Sequence, residues 1–127
     1  MNNGIIYANY IPIFFSNTER DLSIITTILH NIPDKYDGLH NLCIDKVDFE
    51  VWIKDGEIHR KDGPAVIFQF CKMYMENGKL HRTDGLAIDE DRSSGFTGEY
   101  YIEGKRIEPK IFPMISREYK LKSFLNG

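Results

Sequence analysis

The sequence predicts an α+β fold: an antiparallel meander of β-hairpin repeats, one amphipathic helix near the N-terminus and a short helix at the C-terminus. Three observations carry this. Apolar residues recur at helical spacing between Leu22 and Ile32, and apolar and polar residues then alternate from Val47 to Ile53. The heptad "HRKDGPA", His59 to Ala65, also returns 22 residues later as "HRTDGLA", His81 to Ala87. At 127 residues and 42% apolar content the chain suits a single domain with one core. It divides into a strand plus helix over 1–48, hairpin repeats over 49–107 and a basic C-terminal element over 108–127.

The first element, "GIIYANYIPIFF" from Gly4 to Phe15, is aromatic and β-branched and reads as a strand that Pro12 confines to an edge. Ser16 and Glu19 have the spacing of a capping box for the helix that follows. In that helix, over about 17–31, Leu22, Ile25, Ile28, Leu29 and Ile32 share one arc. Ser23, Thr26, Thr27 and His30 fall opposite, and Pro33 stops the helix.

The strand "KVDFEVWI" places Val47, Phe49, Val51 and Ile53 on one face. From its end the chain repeats itself, beginning at Trp52, at Tyr74 and, in partial form, at Tyr100. Asp55-Gly56, Asn77-Gly78 and Glu103-Gly104 occupy the same place in each copy, between two short strand-like runs. The first two pairs are the preferred residues of a two-residue type I′ turn, in which both positions take positive φ. Such turns pair Trp52 with His59, Tyr74 with His81 and Tyr100 with Ile107 across the hairpins. The first two turns lie 22 residues apart and the next 26, so "DEDRSSGFTGE" reads as a lengthened loop. Upstream, "YDGLHNLCI" sets Asp37-Gly38 where later copies have Asp62-Gly63 and Asp84-Gly85, which suggests a further copy.

The His-Arg and Asp-Gly pairs invite a catalytic reading, yet turn chemistry explains them. Asp-Gly is a turn pair, and Arg60 and Arg82 stand two residues before an aspartate they can bond across the corner. Ile107 replaces the histidine in the third copy, which packing allows and a ligand or catalytic role does not. His59 and His81 are therefore expected to pack against Trp52 and Tyr74. Cys43, His59, Cys71 and His81 lack the close ligand pairs of a zinc site, and the carboxylates of "DEDR" lack the spacing of a calcium loop. With no nucleophile elbow and no phosphate loop, the expectation is no enzyme, no metal and no cofactor.

A net charge of −3 hides an asymmetry: six basic against two acidic residues give 104–127 a charge of +4, leaving −7 for 1–103. Nucleic-acid binding over the whole surface is disfavoured, because it needs a continuous basic patch. The basic tail, with Tyr119 and Phe124 for stacking, or acidic mimicry of nucleic acid, is the alternative function. Otherwise the tail docks on the fold through Ile115, Leu121 and Leu125. No apolar run reaches the ~20 residues of a membrane-spanning helix, and two cysteines make no disulfide framework, so a cytoplasmic location is expected.

The pattern aromatic-x-x-[Asp/Asn]-Gly-x-x-His-Arg-x-Asp-Gly-Pro-Ala, in Trp52 to Ala65 and Tyr74 to Ala87, resembles the tandem repeats of small bacteriophage and giant-virus proteins, MORN-like in style. The resemblance covers about residues 49–107; Leu86 departs from its proline and Ile107 from its histidine. It implies stacked hairpins and an accessory module that binds a host protein or complex, such as a defence component. Candidate anchors are Trp52, Tyr74, Tyr100 and Tyr101, with Arg60 and Arg82, since aromatics and arginine dominate interface energetics.

Overall fold

The computed structural model of the chain describes residues 17–90 and 98–126. The expected strand over Gly4–Phe15 and the Ser16 cap lie outside the described residues. Helix α1, Asn17–His30, buries Ile24 and Ile28, and Ile32 just beyond it joins them in the core, while Thr26 and His30 face outward. Ile28 and Ile32 lie on the arc the spacing predicts, but Ile24, outside that arc, is the third buried residue, and Ile25 and Leu29 are only half-buried, so the buried face is turned toward Ile24.

The strands follow as β1 (Gly38–Ile44), β2 (Val47–Lys54), β3 (Glu57–Ile58), β4 (Val66–Phe68), β5 (Cys71–Met73), β6 (Met75–Glu76), β7 (Lys79–Leu80), β8 (Ile88–Glu90), β9 (Gly98–Ile102) and β10 (Lys105–Ile107). The main sheet runs β1-β2-β4-β5-β8-β9-β10, every neighbouring pair antiparallel, with β3 paired to the end of β2. Alternation along β2 is as the sequence predicts: Val47, Phe49, Val51 and Ile53 are buried while Asp48, Glu50 and Lys54 are exposed. Phe49 faces Phe68 of β4, their ring centroids 4.8 Å apart.

Each unit has two hairpins. A long one lies in the sheet (β1/β2, β4/β5, β8/β9), and a short one (β2/β3, β6/β7, β9/β10) projects from its end. The short hairpins turn at Asp55-Gly56, Asn77-Gly78 and Glu103-Gly104, and all six residues have positive φ between 49° and 83°. The cross-strand sums hold: Ile53 pairs with Ile58, Met75 with Leu80 and Tyr100 with Ile107. Successive short hairpins join one another. Arg60 N–H donates to Met75 O and Gly78 N–H to Ile58 O; one unit later Arg82 N–H donates to Tyr101 O and Gly104 N–H to Leu80 O.

The sheet begins at Gly38, ahead of the boundary at residue 49. Asp37-Gly38 therefore opens a first unit, and its long hairpin turns at Asp45-Lys46 with φ of 52° and 69°. Neither residue is glycine, so this hairpin carries no standard turn signal. In the stretch read as a lengthened loop, β8 extends to Glu90 and β9 starts at Gly98; residues 91–97 lie outside the described ones. Helix α2, Phe112–Asn126, carries Pro113 in its first turn, where the missing N–H costs nothing. Cys71 is buried, but Cys43 is exposed on β1, the first strand in the order of the described sheet.

Glycines are not equivalent here. Gly56 sits at φ 81° with open space around its Cα, so Gly56→Ala should cost only the strain of the left-handed backbone, about 1–2 kcal/mol. Gly98 sits at φ 124°, and a Cβ there would overlap the carbonyl oxygen of Ile88 on the paired strand. Gly98→Ala is expected to lower the thermal midpoint clearly more than Gly56→Ala in parallel melts; equal shifts would mean that β8 and β9 are not this closely apposed.

Candidate functional site

The heptad forms a corner that carries the chain from a short hairpin into the next long one. At its centre is the arginine. The Arg60 guanidinium lies over the Trp52 ring with Cζ 4.0 Å from the centroid, and Arg82 lies over Tyr74 at 3.9 Å. Each also donates Nη1–H to a carbonyl four residues on, Arg60 to Pro64 O at 3.2 Å and Arg82 to Leu86 O at 3.1 Å. Arg60 Nε–H adds a bond to Asp62, the charge-assisted contact its spacing suggests. The glycine forms the opposite wall: a Cβ at Gly63 would come 3.1 Å from Arg60 Cζ, and one at Gly85 3.3 Å from Arg82 Cζ. Ala65 and Ala87 end the corner fully buried, and their carbonyls accept from Trp52 N–H and Tyr74 N–H.

This corrects the role expected of the histidines. The hairpin pairing is as predicted, with His59 N–H donating to Trp52 O and His81 N–H to Tyr74 O. Arginine, however, covers the aromatic faces, and the imidazoles reach into the next unit. His59 Nδ1 accepts from Asn77 N–H and His81 Nδ1 from Glu103 N–H, both at 2.9 Å. Each donor is the first residue of the following type I′ turn. In the first unit Asp37 Oδ1 accepts from Asp55 N–H at 2.8 Å, so a carboxylate there does the work of the later histidines.

Helix α2 closes the array. No arginine follows Ile107, and the Tyr100 ring stacks instead on Phe112, centroids 4.2 Å apart. Ser116 Oγ–H donates to Thr83 O at 2.6 Å, Lys120 Nζ lies 3.0 Å from Asp84, and Tyr119 meets the His81 ring at 5.1 Å. Tyr119 also donates its hydroxyl to the Glu103 carboxylate. The inner face of α2 is thus Phe112, Ser116 and Tyr119. Leu121 and Leu125, expected to dock the tail, are 56% and 71% exposed, and Ile115 is half-buried.

Two concavities flank these contacts. One, of about 80 Å³, is lined by Glu76, Asn77, Lys79, His81, Glu103 and Tyr119. The Tyr119 bond holds the Glu103 carboxyl below the usual carboxylate range, helped by His81 and Lys79 and opposed by slight burial. The same bond, with burial and the charges of Glu103 and Glu76, pushes the Tyr119 phenol up to about 12. The other, of about 460 Å³, lies between the two corners, where Arg60 and Lys61 face Asp62, Glu76 and Asp84. Its charges are mixed and largely matched. Among the described residues no three His, Cys, Asp or Glu side chains are grouped as metal ligands.

The anchors expected from sequence are therefore placed as follows. Trp52, Tyr74 and Tyr100 are half-buried, each with a face covered from within the chain, by Arg60, Arg82 and Phe112 respectively. Tyr101 points into the core at 4% exposure, so it presents no anchor to a partner. Large apolar side chains reach solvent elsewhere: Ile111, Met114, Leu121, Phe124 and Leu125 line the outside of α2.

No protein-family model, no curated protein and no solved structure matches the chain significantly.

The histidine bonds make a specific demand on side-chain geometry. Asparagine can put Oδ1 close to where the imidazole puts Nδ1, whereas leucine leaves the Glu103 amide without its acceptor. His81→Leu should cost about 1–3 kcal/mol in denaturant unfolding and His81→Asn clearly less. Equal losses would assign the histidine to packing alone. The Tyr119 bond makes a pH demand. A phenol raised from its ordinary value stabilises the fold below pH 10 and loses that contribution as pH rises toward about 12. Tyr119→Phe is expected to flatten the decline in stability between those limits, measured by urea midpoints across the range.

Proposed function

We propose that the chain is a non-enzymatic protein-binding module whose docking surface is the outer face of α2. The observation that supports this most is the distribution of exposed apolar side chains. Among the described residues, five of the eight large ones in solvent belong to this helix and its threshold. Contiguous apolar surface on a small protein marks an interaction site more often than scattered residues do.

The residues that look catalytic are otherwise employed. His59 and His81 accept turn amides, Arg60 and Arg82 bond corner carbonyls, and Asp62 pairs with Arg60. Their chemistry is used in holding the repeats together. The likeness to viral tandem-repeat proteins adds the finer part of the proposal, a virus-encoded accessory module acting on a host protein or complex inside the cell. Among the described residues no helix is long and apolar enough to cross a membrane.

Affinity capture from a host lysate, run in parallel with wild-type protein, Leu121→Glu and Trp52→Phe, tests this reading. Leu121→Glu should lose the captured protein and Trp52→Phe should keep it, both variants melting near the wild-type temperature. Retention by Leu121→Glu with loss by Trp52→Phe would return the interface to the repeat sheet. A captured species that nuclease removes would favour the basic tail as a nucleic-acid contact.

A further inference from the structure

On α2 the residues Ile111, Met114, Leu121 and Leu125 follow alternating steps of three, seven and four, so at 3.6 residues per turn they fall within an arc of about 80°. The inner residues Phe112, Ser116 and Tyr119 occupy the opposite side. Ile111 belongs to the same helical path, since its carbonyl accepts from Ile115 N–H. Arg117 borders the stripe on one side and Lys122 on the other, Lys110 stands at its start, and all three are exposed. Lys120, further round, is occupied by Asp84. The surface is an apolar stripe, interrupted by the exposed Glu118, with three cations on its rims.

We infer that the occupant of this stripe is an amphipathic helix of a partner protein with acidic residues along the edges of its own apolar face. Charge selects it. Apolar side chains of the partner pack between Met114, Leu121 and Leu125, and carboxylates at its edges meet Arg117 and Lys122. A second copy docked helix to helix sets the two cationic rims against each other. An anionic membrane is a broad plane that also meets the charge of −7 carried by residues 1–103, whereas a single helix meets α2 alone, where Glu118 stands against Lys110, Arg117 and Lys122. Nucleic acid gains nothing from the apolar side chains. The inference rests on the reading of α2's outer face as the docking surface and specifies the chemistry of what docks there.

Two synthetic 18-residue helical peptides provide the test, with the same leucine stripe and either glutamate or lysine at the flanking positions. Each carries a fluorophore and is titrated with the full chain at 50 and 300 mM NaCl, with anisotropy as the readout. The glutamate peptide should bind at least tenfold more tightly than its lysine twin, and the difference should shrink at the higher salt. Leu121→Glu should abolish binding, and the double variant Arg117→Glu, Lys122→Glu should reverse the preference. Equal affinities for both peptides, no binding of either, or a preference that the double variant leaves in place would overturn the inference. So would a dimer of the free chain in light scattering that Leu121→Glu dissociates, which would make a second copy the occupant. Capture of a partner through Leu121 with no preference between the peptides would leave the docking surface standing and remove only its acidic specificity.

Discussion

The repeats depend on a guanidinium held between an aromatic ring and a glycine. Arg60 lies on Trp52 with Gly63 behind it, and Arg82 on Tyr74 with Gly85 behind it. A cation on a ring is stabilised by about 0.5–1 kcal/mol at a partly exposed site, and bonds to a carbonyl add to it. The geometry matters more than the energy. The flat fork spans from the hairpin to the carbonyl four residues on, so it fixes the direction in which the chain leaves one unit and enters the next. Lysine could supply the charge but neither the planar stack nor the directed pair of bonds. Aromatic, arginine and glycine thus recur together because each is a wall or an occupant of the same small space.

Register between units comes from a second contact. The first residue of a type I′ turn points its N–H away from its own hairpin, and here the preceding unit accepts it, through Asp37, His59 or His81. A unit therefore completes itself only against its neighbour, as stacked repeats generally do. The third short hairpin has Ile107 and Glu108 where the earlier copies have His and Arg, and α2 packs on it instead. Phe112 takes the place of the guanidinium on Tyr100, and Tyr119 holds Glu103 of the last turn. The helix that ends the array is, among the described residues, the element whose other side faces solvent, which would put the proposed docking surface at the end of the stack.

Much of this architecture was legible in the sequence, where local chemistry and periodicity agree. Asp55-Gly56 and Asn77-Gly78 announce their turns, and a two-residue loop fixes the partners of every residue on its arms. Val47 to Ile53 declare their buried face by alternation, and Ile28 and Ile32 declare theirs by helical spacing, whereas Ile24 joins the core although the predicted arc passes beside it. Other features depend on contacts that no local pattern records. Asp45-Lys46 adopts the same turn as Asp55-Gly56 only because the strands on either side pair over seven residues, which overrides the residues' own reluctance. His59 finds its acceptor role 18 residues away, and Asp37 shares it without sharing the motif position. For α2, apolar residues lie on both sides of the helix, so spacing alone could not say that Phe112 docks and Leu121 does not.

The misplaced anchors have the same cause. Tryptophan, tyrosine and arginine are rich in interfaces because they bring large, stiff contact area, and a thin stack of hairpins needs the same property for its own cohesion. Here Trp52 and Tyr74 each spend one face on an arginine, and Tyr101 is wholly in the core. Removing such a ring would open a corner before it touched any partner. Residues that stabilise the repeats and residues free to bind are thereby separated. The unabsorbed apolar surface lies where a terminating helix needs only its inner side for capping: Phe112, Ser116 and Tyr119 suffice to close the array. Among the described residues the repeats rest on the inner side alone, so under the proposed function the leucines and cationic rims of the outer side could vary to suit a partner while the corners beneath remain unchanged.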